Sequence, residues 1–322
     1  KPKNIQLTVK ANAADVKGTL ALSANDGWTI TIKNPEFNLT GKGDEVVLEA
    51  VVTPTKAVTS GELFAFLRIA ENKYNKSIQR IEHDHIPYQF ILSEAKAKLV
   101  NMDLKKTGTN IAYIPGAGDD VAACLKQIGY NVTILSDELL TKEDLSKYNA
   151  IVSGIRAYNT NDRLQVHYSK LMDYVKNGGN LIVQYNTNSR IGPVLAKIGP
   201  YPFTISRDRV TDEKAEIHIT NKKHIALNAP NPITEKDFEG WVQERGIYFA
   251  SELDKNYETI FSMNDKGEKA SDGSLIISKY GKGNFVYTGL VFFRELPAGV
   301  PGAYHLFVNL LSLPQHKENV TR

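Results

Sequence analysis

The sequence predicts an α/β chain with an all-β domain at its start. An immunoglobulin-like β-sandwich is expected over residues 1–99, and a doubly wound parallel sheet of flavodoxin-like type over residues 100–322. Three observations carry this reading. Up to about Leu99, apolar and polar residues alternate in short runs bounded by turn residues, the mark of antiparallel strands with one wet face. Beyond it, strand-like and helix-like segments alternate, as a parallel sheet with crossover helices requires. The strand-like segments of that second part are also too continuously apolar to have a wet face.

The strands of the first part read as IQLTVKA, TLALSA, WTITIKN, EVVLEAVVT, LFAFLRIA and YQFILSE. Trp28, after Asn25-Asp26-Gly27, is expected to fill the space between the sheets, because a large aromatic buries more surface than other residues. The polar stretch SEAKAKLVNMDLKKTGT reads as the linker. After it come strand NIAYIPG, helix DDVAACLKQIGY, strand NVTILSD, strand YNAIVSGIRA, helix RLQVHYSKLMDYVKNGG with a glycine stop at Gly178, and strand NLIVQYNT. RDRVTDEKAEIHITN reads as a β excursion, TIFSMN and SLIISKYGKGNFVYTGLVFF as a late antiparallel pair and AYHLFVNLLSL as a closing helix.

Composition excludes several function classes. Lys and Arg total 39 against 36 Asp and Glu, and a net charge of +3 evenly interspersed leaves no footprint for nucleic acid. No apolar run approaches the ~20 residues of a membrane helix, so no membrane span is expected. The single cysteine, Cys124, forbids an internal disulfide and a cysteine-based zinc site. The opening KPKNIQLTV has neither an initiator Met nor a signal-like segment, and it reads as a piece of something longer.

Each chemically suggestive motif also has a plainer role. GAGDDVA, at Gly116–Ala122, sits where a dinucleotide fold places its glycine-rich turn. However, Val121 replaces the third glycine, and Asp119 and Asp120 would repel a pyrophosphate, so these carboxylates are expected to cap the helix. Cys124 falls on the apolar stripe of that helix with Val121, Leu125 and Ile128, which reads as core rather than nucleophile. His83-Asp84-His85 lacks a third ligand at workable spacing, so no metal is assigned.

In an open parallel sheet, the loops after the strands' carboxyl ends converge on one edge, where ligands bind. Those loops offer Asp119, Arg156, Tyr158, Asn159, Gln184, Tyr185, Asn186, Arg294 and Glu295, with Trp241, Glu244 and Arg245 of GWVQERG as neighbours. Amides, arginines and aromatic faces suit a carbohydrate, which needs planar hydrogen bonding and a stacking surface. The expectation is a ligand crevice, with Trp241 or Tyr158 offering an aromatic face. The plainer alternative is a solvated edge whose polar residues cap helices.

The order of segments resembles a known family. NIAYIPGAGDDVAACLKQIGYNVTIL, AIVSGIRAYN, YVKNGGNLIVQYN and YGKGNFVYTGLVFFRELPAGVPGAYHLFVNLL resemble the class I glutamine-amidotransferase-like domains, including the ThuA-like group, that follow the catalytic domain in large bacterial PIG-L (LmbE-like) deacetylases. The β-rich part, with SIQRIEHDHIPYQ, is similar to the sandwich module of the same proteins. In active amidotransferases of this fold, a cysteine occupies the turn after the strand equivalent to NLIVQYN, where this chain has Tyr185 and Asn186. The deacetylase zinc motif, of Ala-His-Pro-Asp-Asp type, does not occur between Lys1 and Arg322.

The resemblance therefore implies a non-catalytic accessory or glycan-binding region without a cofactor. Its partner would be an upstream catalytic domain of the same chain, in a periplasmic or secreted protein. Two rival readings are a sugar-processing hydrolase or isomerase using Glu244 or Glu295, and a purely structural module.

Overall fold

The computed structural model describes residues 2–55, 57, 59–188 and 197–316, which leaves Ser189 and Arg190 of the loop QYNTNSR outside the described residues. It shows an α/β chain with an all-β domain. Two compact units divide it, Lys1–Asp103 and Leu104–Arg322.

The first unit is built from β1 (Lys3–Lys10), β2 (Val16–Ala24), β3 (Trp28–Ile32), β4 (Glu36–Leu39), β5 (Glu45–Pro54), β6 (Ser60–Ile69), β7 (Asn72–Tyr74), β8 (Lys76–His83), β9 (Ile86–Glu94) and β10 (Lys96–Val100). One sheet has the order β1-β5-β3, and the other has the order β10-β6-β2-β4 with β7 paired to β6. Val9, Leu48, Leu20, Phe37 and Leu39, drawn from both sheets, form one buried cluster, which is what period-two alternation produces when two wet-backed sheets pack face to face.

Three expectations for this unit need correction. Trp28 does not plug the core: β3 is an edge strand, and the half-buried indole lies over Gly61 with its N–H 3.4 Å from the Ser60 carbonyl oxygen. Phe37 is the buried aromatic instead. YQFILSE joins neither sheet, because β8 and β9 pair only with each other in an exposed hairpin that carries Phe90 and Leu92 on its surface. His83 ends β8, and its ring stacks on His85 across the hairpin turn. The expected linker also contains a strand, since β10 pairs with β6 through its backbone although most of its side chains are exposed.

The second unit contains a seven-stranded sheet. Its strands are β11 (Asn110–Ile114), β12 (Asn131–Ile134), β13 (Ala150–Ser153), β14 (Asn180–Gln184) and the late strands Gly283–Thr288, Leu275–Tyr280 and Tyr257–Thr259. Their order is β12-β11-β13-β14, followed by Gly283–Thr288, Leu275–Tyr280 and Tyr257–Thr259. The first five run parallel; Leu275–Tyr280 runs against them and pairs antiparallel on both sides, which leaves Tyr257–Thr259 in the direction of the first five.

Helices α1 (Val121–Gln127), α2 (Asp137–Lys142), α3 (Ala157–Thr160), α4 (Tyr168–Lys176), α5 (Phe292–Glu295) and α6 (Pro301–Leu311) complete the unit. α4 packs Leu171, Met172 and Val175 on the face formed by Ile151, Leu181, Val183 and Phe285. The alternate residues Ile111, Val152, Ile182 and Val286 are buried as well, so both faces are covered, as continuous apolar strands require. Gly178, at φ +118°, ends α4 in the conformation that only glycine adopts freely. α2 carries no strong periodic signal in the sequence; Ser136 caps it by accepting the Leu139 N–H at 3.3 Å.

The β excursion consists of three short ladders: Thr204–Ile205 with Ala250–Ser251, Arg209–Val210 with Gly246–Ile247, and Ile217–Ile219 with Phe261–Met263. These ladders bring residues 241–248 beside α5, where Val291 N–H reaches the Arg245 carbonyl oxygen at 3.4 Å.

α6 makes an unusually close contact that yields a test. A Cβ at Gly302 would lie 1.9 Å from the Asp237 carbonyl oxygen, a backbone atom that cannot turn aside. Ala normally gains about 1 kcal/mol over Gly inside a helix. At this position overpacking of about 1–3 kcal/mol should win. Gly302→Ala is expected to lower the denaturation midpoint, and a raised midpoint would contradict this packing.

Candidate functional site

Because β13, β14 and Gly283–Thr288 run parallel, the chain leaves each of them at the same edge of the sheet. Three segments emerge there: the turn Gly154-Ile155-Arg156, the residues from Tyr185 onward, and the stretch leading to α5. They meet at Tyr185. Its carbonyl oxygen accepts the Arg156 N–H at 2.8 Å. Its half-buried ring stacks on Tyr248, with centroids 5.8 Å apart and planes 11° apart, and meets Phe293 at 5.5 Å. The Arg294 guanidinium lies 4.8 Å from the Phe293 ring centroid, and its Nε donates to Glu244 at 3.1 Å.

Arg156 holds the turn between β13 and α3 in the left-handed conformation, at φ 55° and ψ 22°. For a residue with a Cβ this costs roughly 1–2 kcal/mol. Tyr248 at φ 55° and Gln243 at φ 69° share the strain and the neighbourhood. In α/β hydrolases a strained strand-to-helix turn of this kind presents the nucleophile. In this chain it presents an exposed arginine.

Burial raises the Tyr185 phenol above its ordinary pKa, and the positive charges of Arg156 and Arg294 oppose that rise. Both guanidinium groups therefore act on one phenol.

The other expected ligand residues have structural work. Asp119 accepts the Tyr113 hydroxyl, the Val121 N–H at 3.0 Å and the Ile155 N–H at 3.1 Å, so it ties β11 to α1 and to the Arg156 turn. Asp120 stands at the N-cap of α1 but takes no capping hydrogen bond through its side chain. Tyr158 is 1% exposed and offers no face to a ligand. Asn159 exchanges two hydrogen bonds with the Thr187 backbone, at 3.1 and 2.8 Å. Asn186 accepts the Tyr158 N–H at 2.9 Å and donates to the Gln184 carbonyl oxygen at 3.0 Å. Gln184 is itself buried against the Ser153 carbonyl oxygen.

Trp241 is buried at 3% exposure among Phe238, Phe292 and Arg245, with its indole N–H bonded to the Asp237 carbonyl oxygen at 3.0 Å. The aromatic face expected from Trp241 or Tyr158 is therefore not available. Arg245, also buried, donates to the carbonyl oxygens of Ala215 and Phe238. Sequence reasoning missed Tyr248 and Phe293. Phe293 stands beside Arg294 in a loop already singled out, whereas Tyr248 lies in an ordinary-looking GIYFA, and its positive φ has no signature in sequence.

Glu295 is fully buried behind the cluster, and both carboxylate oxygens accept the Val242 N–H, at 3.2 and 3.0 Å. It therefore fixes the strained segment that carries Gln243 and Glu244 and has no surface on which to meet a substrate. Burial pushes its carboxyl up to about 7, against the pull of the Val242 N–H and of Arg245 and Arg294.

Cys124 is buried in α1, and burial raises its thiol above its ordinary value. Among the described residues, no group of three or more His, Cys, Asp or Glu side chains is placed to hold a metal ion, and no helix is long and apolar enough to cross a membrane. A cavity of about 420 Å³ opens at the opposite edge of the sheet, lined in part by Tyr148, Asn149, Asn180 and Ser312. The Tyr148 hydroxyl is buried there and meets no hydrogen-bond partner among the described residues.

No family model and no curated protein matches this chain. Among solved structures, the β-galactosidase from Rahnella sp. R3 aligns at 14% identity over 64% of this chain and 32% of that one, with a TM-score of 0.38. The β-galactosidase from Bacillus circulans sp. alkalophilus aligns at 14% identity over 63% and 31%, with a TM-score of 0.40. PurLQS from Thermotoga maritima aligns at 13% identity over 64% of this chain and 99% of that one, with a TM-score of 0.39. This chain thus spans about a third of the length of the two β-galactosidases. At this similarity neither a site nor a reaction transfers from them.

Two outcomes are expected from this geometry. A carboxyl that stays protonated in the folded chain up to about 7, but titrates near 4.5 when unfolded, lends stability that is complete below 4.5 and lost as pH rises through 7. Glu295→Gln should therefore gain stability relative to the parent chain across that window. Denaturant melts at pH 4.5 and pH 8 measure the gain, and an unchanged difference would contradict the burial argument. Cys124 should resist a thiol reagent at neutral pH in the folded chain and react fully once unfolded, and fast labelling of the folded chain would place it elsewhere.

Proposed function

We propose that this chain is an accessory, ligand-binding region of a larger bacterial deacetylase of the PIG-L (LmbE-like) kind, and that its α/β unit binds a carbohydrate at the Arg156–Tyr185 edge without catalysing a reaction on it. One observation carries the binding reading: the strained strand-to-helix turn displays Arg156, beside the half-buried Tyr185 ring, where a catalytic α/β domain would display a nucleophile. The sole cysteine is buried in α1, which supports the non-catalytic part. Guanidinium donors next to an aromatic ring provide the directional bonds and the apolar surface that a sugar ring uses. The deacetylase context rests on the resemblance of the sequence segments alone.

A purely structural role is the rival, and titration decides between them. An NMR titration of the full 322-residue chain with a panel of soluble saccharides should perturb resonances around Arg156, Tyr185 and Phe293. Tyr185→Ala should weaken that binding by about 1 kcal/mol, the contribution of one aromatic face. Perturbations confined to Tyr148 and Asn149 would move the site to the opposite edge. A panel without effect would leave the structural role.

A further inference from the structure

The binding reading leaves the charge of the ligand open, and the edge itself bears on it. Arg156 is exposed, and among the described residues its guanidinium makes no hydrogen bond or ion pair. A guanidinium is charged at every accessible pH and has five donors in a planar fork. The second cation of the edge, Arg294, is held by stacking on Phe293 and by its bond to Glu244. It is thus fixed in place where it acts, together with Arg156, on the Tyr185 phenol.

Of the two cations only Arg156 keeps a charge without a carboxylate partner among the described residues, because the Arg294 charge is offset by Glu244. Glu244 is taken by Arg294, Asp119 by Tyr113 and two backbone N–H groups, and Glu295 is sealed behind Val242. Of the charges that act on the Tyr185 phenol, Arg156 is the strongest, and Glu244 works against it and Arg294.

Resting on the carbohydrate reading, we infer that the ligand is an acidic saccharide whose oxyanion group, a carboxylate or a sulfate, is received by Arg156 while its ring lies against Tyr185. A planar guanidinium pairs with such a group through two parallel bonds, shorter and stronger than those it makes to a neutral hydroxyl.

The test is an NMR titration of the full chain with glucuronate, glucose 6-sulfate and glucose at low ionic strength. At least one charged sugar should bind about ten-fold or more tightly than glucose, and its advantage should shrink as salt is added. The two charged probes separate carboxylate from sulfate. Arg156→Gln should erase the advantage, so that charged and neutral sugars bind alike, whereas Arg156→Lys should keep part of it. Thermal melts of both variants should match that of the parent chain, since the side chain is exposed. Glucose binding as tightly as both charged sugars, or a preference that survives Arg156→Gln, would overturn this inference while leaving the carbohydrate reading intact. No binding of any of the three would overturn it together with that reading.

Discussion

The second unit depends on one constraint: a parallel sheet covered by helices on both faces leaves no solvent-facing side, so polar groups can gather only where strands end. Val152, Leu181, Ile182 and Val286 are completely buried. Buried polar atoms need partners, because an unsatisfied one costs about 1–3 kcal/mol. The first polar residues past the strands are therefore spent on the backbone. Asn186 fastens β14 to α3, Asn159 fastens Thr187, and Asp119 fastens β11 to the turn after β13. The residues one layer further out, Arg156, Tyr185, Phe293 and Arg294 among them, remain at least partly open to solvent.

This layering explains how far the sequence could be read. The fold class was legible because it follows from periodicity. NLIVQYN and NFVYTGL have no wet face, and Gly178 announces the end of α4. The edge that gathers the polar loops was legible for the same reason, since parallel strands all end on one side. Which residue of each loop faces solvent was not. Tyr158 and Asn159 follow Arg156 closely, yet a single turn of α3 buries both. Trp241 carries the most attractive ring in the chain for a sugar, but its large apolar surface draws it inward against Phe238 and Phe292. In the first unit, Trp28 fails as a core residue because pairing order puts β3 at the sheet edge, and pairing order is non-local.

Strain is the remaining feature that sequence conceals. Arg156, Gln243 and Tyr248 adopt positive φ within one neighbourhood, and Glu295 and Tyr287 hold that arrangement from behind through the Val242 N–H and the Tyr248 carbonyl oxygen. Residues in such conformations persist only where the surrounding structure over-determines them, and they cluster at sites of function. On the binding reading, the edge keeps this strain in order to display Arg156, and not because the fold requires an arginine at that turn.

The stability of Arg156→Gly tests that claim most directly. Glycine enters the left-handed region without the penalty, which offsets its extra freedom in the unfolded chain. If Arg156 serves only to meet a ligand, equilibrium denaturation of the variant should give a stability equal to or above that of the parent chain. A loss of more than about 1 kcal/mol, the scale of a typical intramolecular hydrogen bond, would show that the arginine holds the fold together and would contradict the display role.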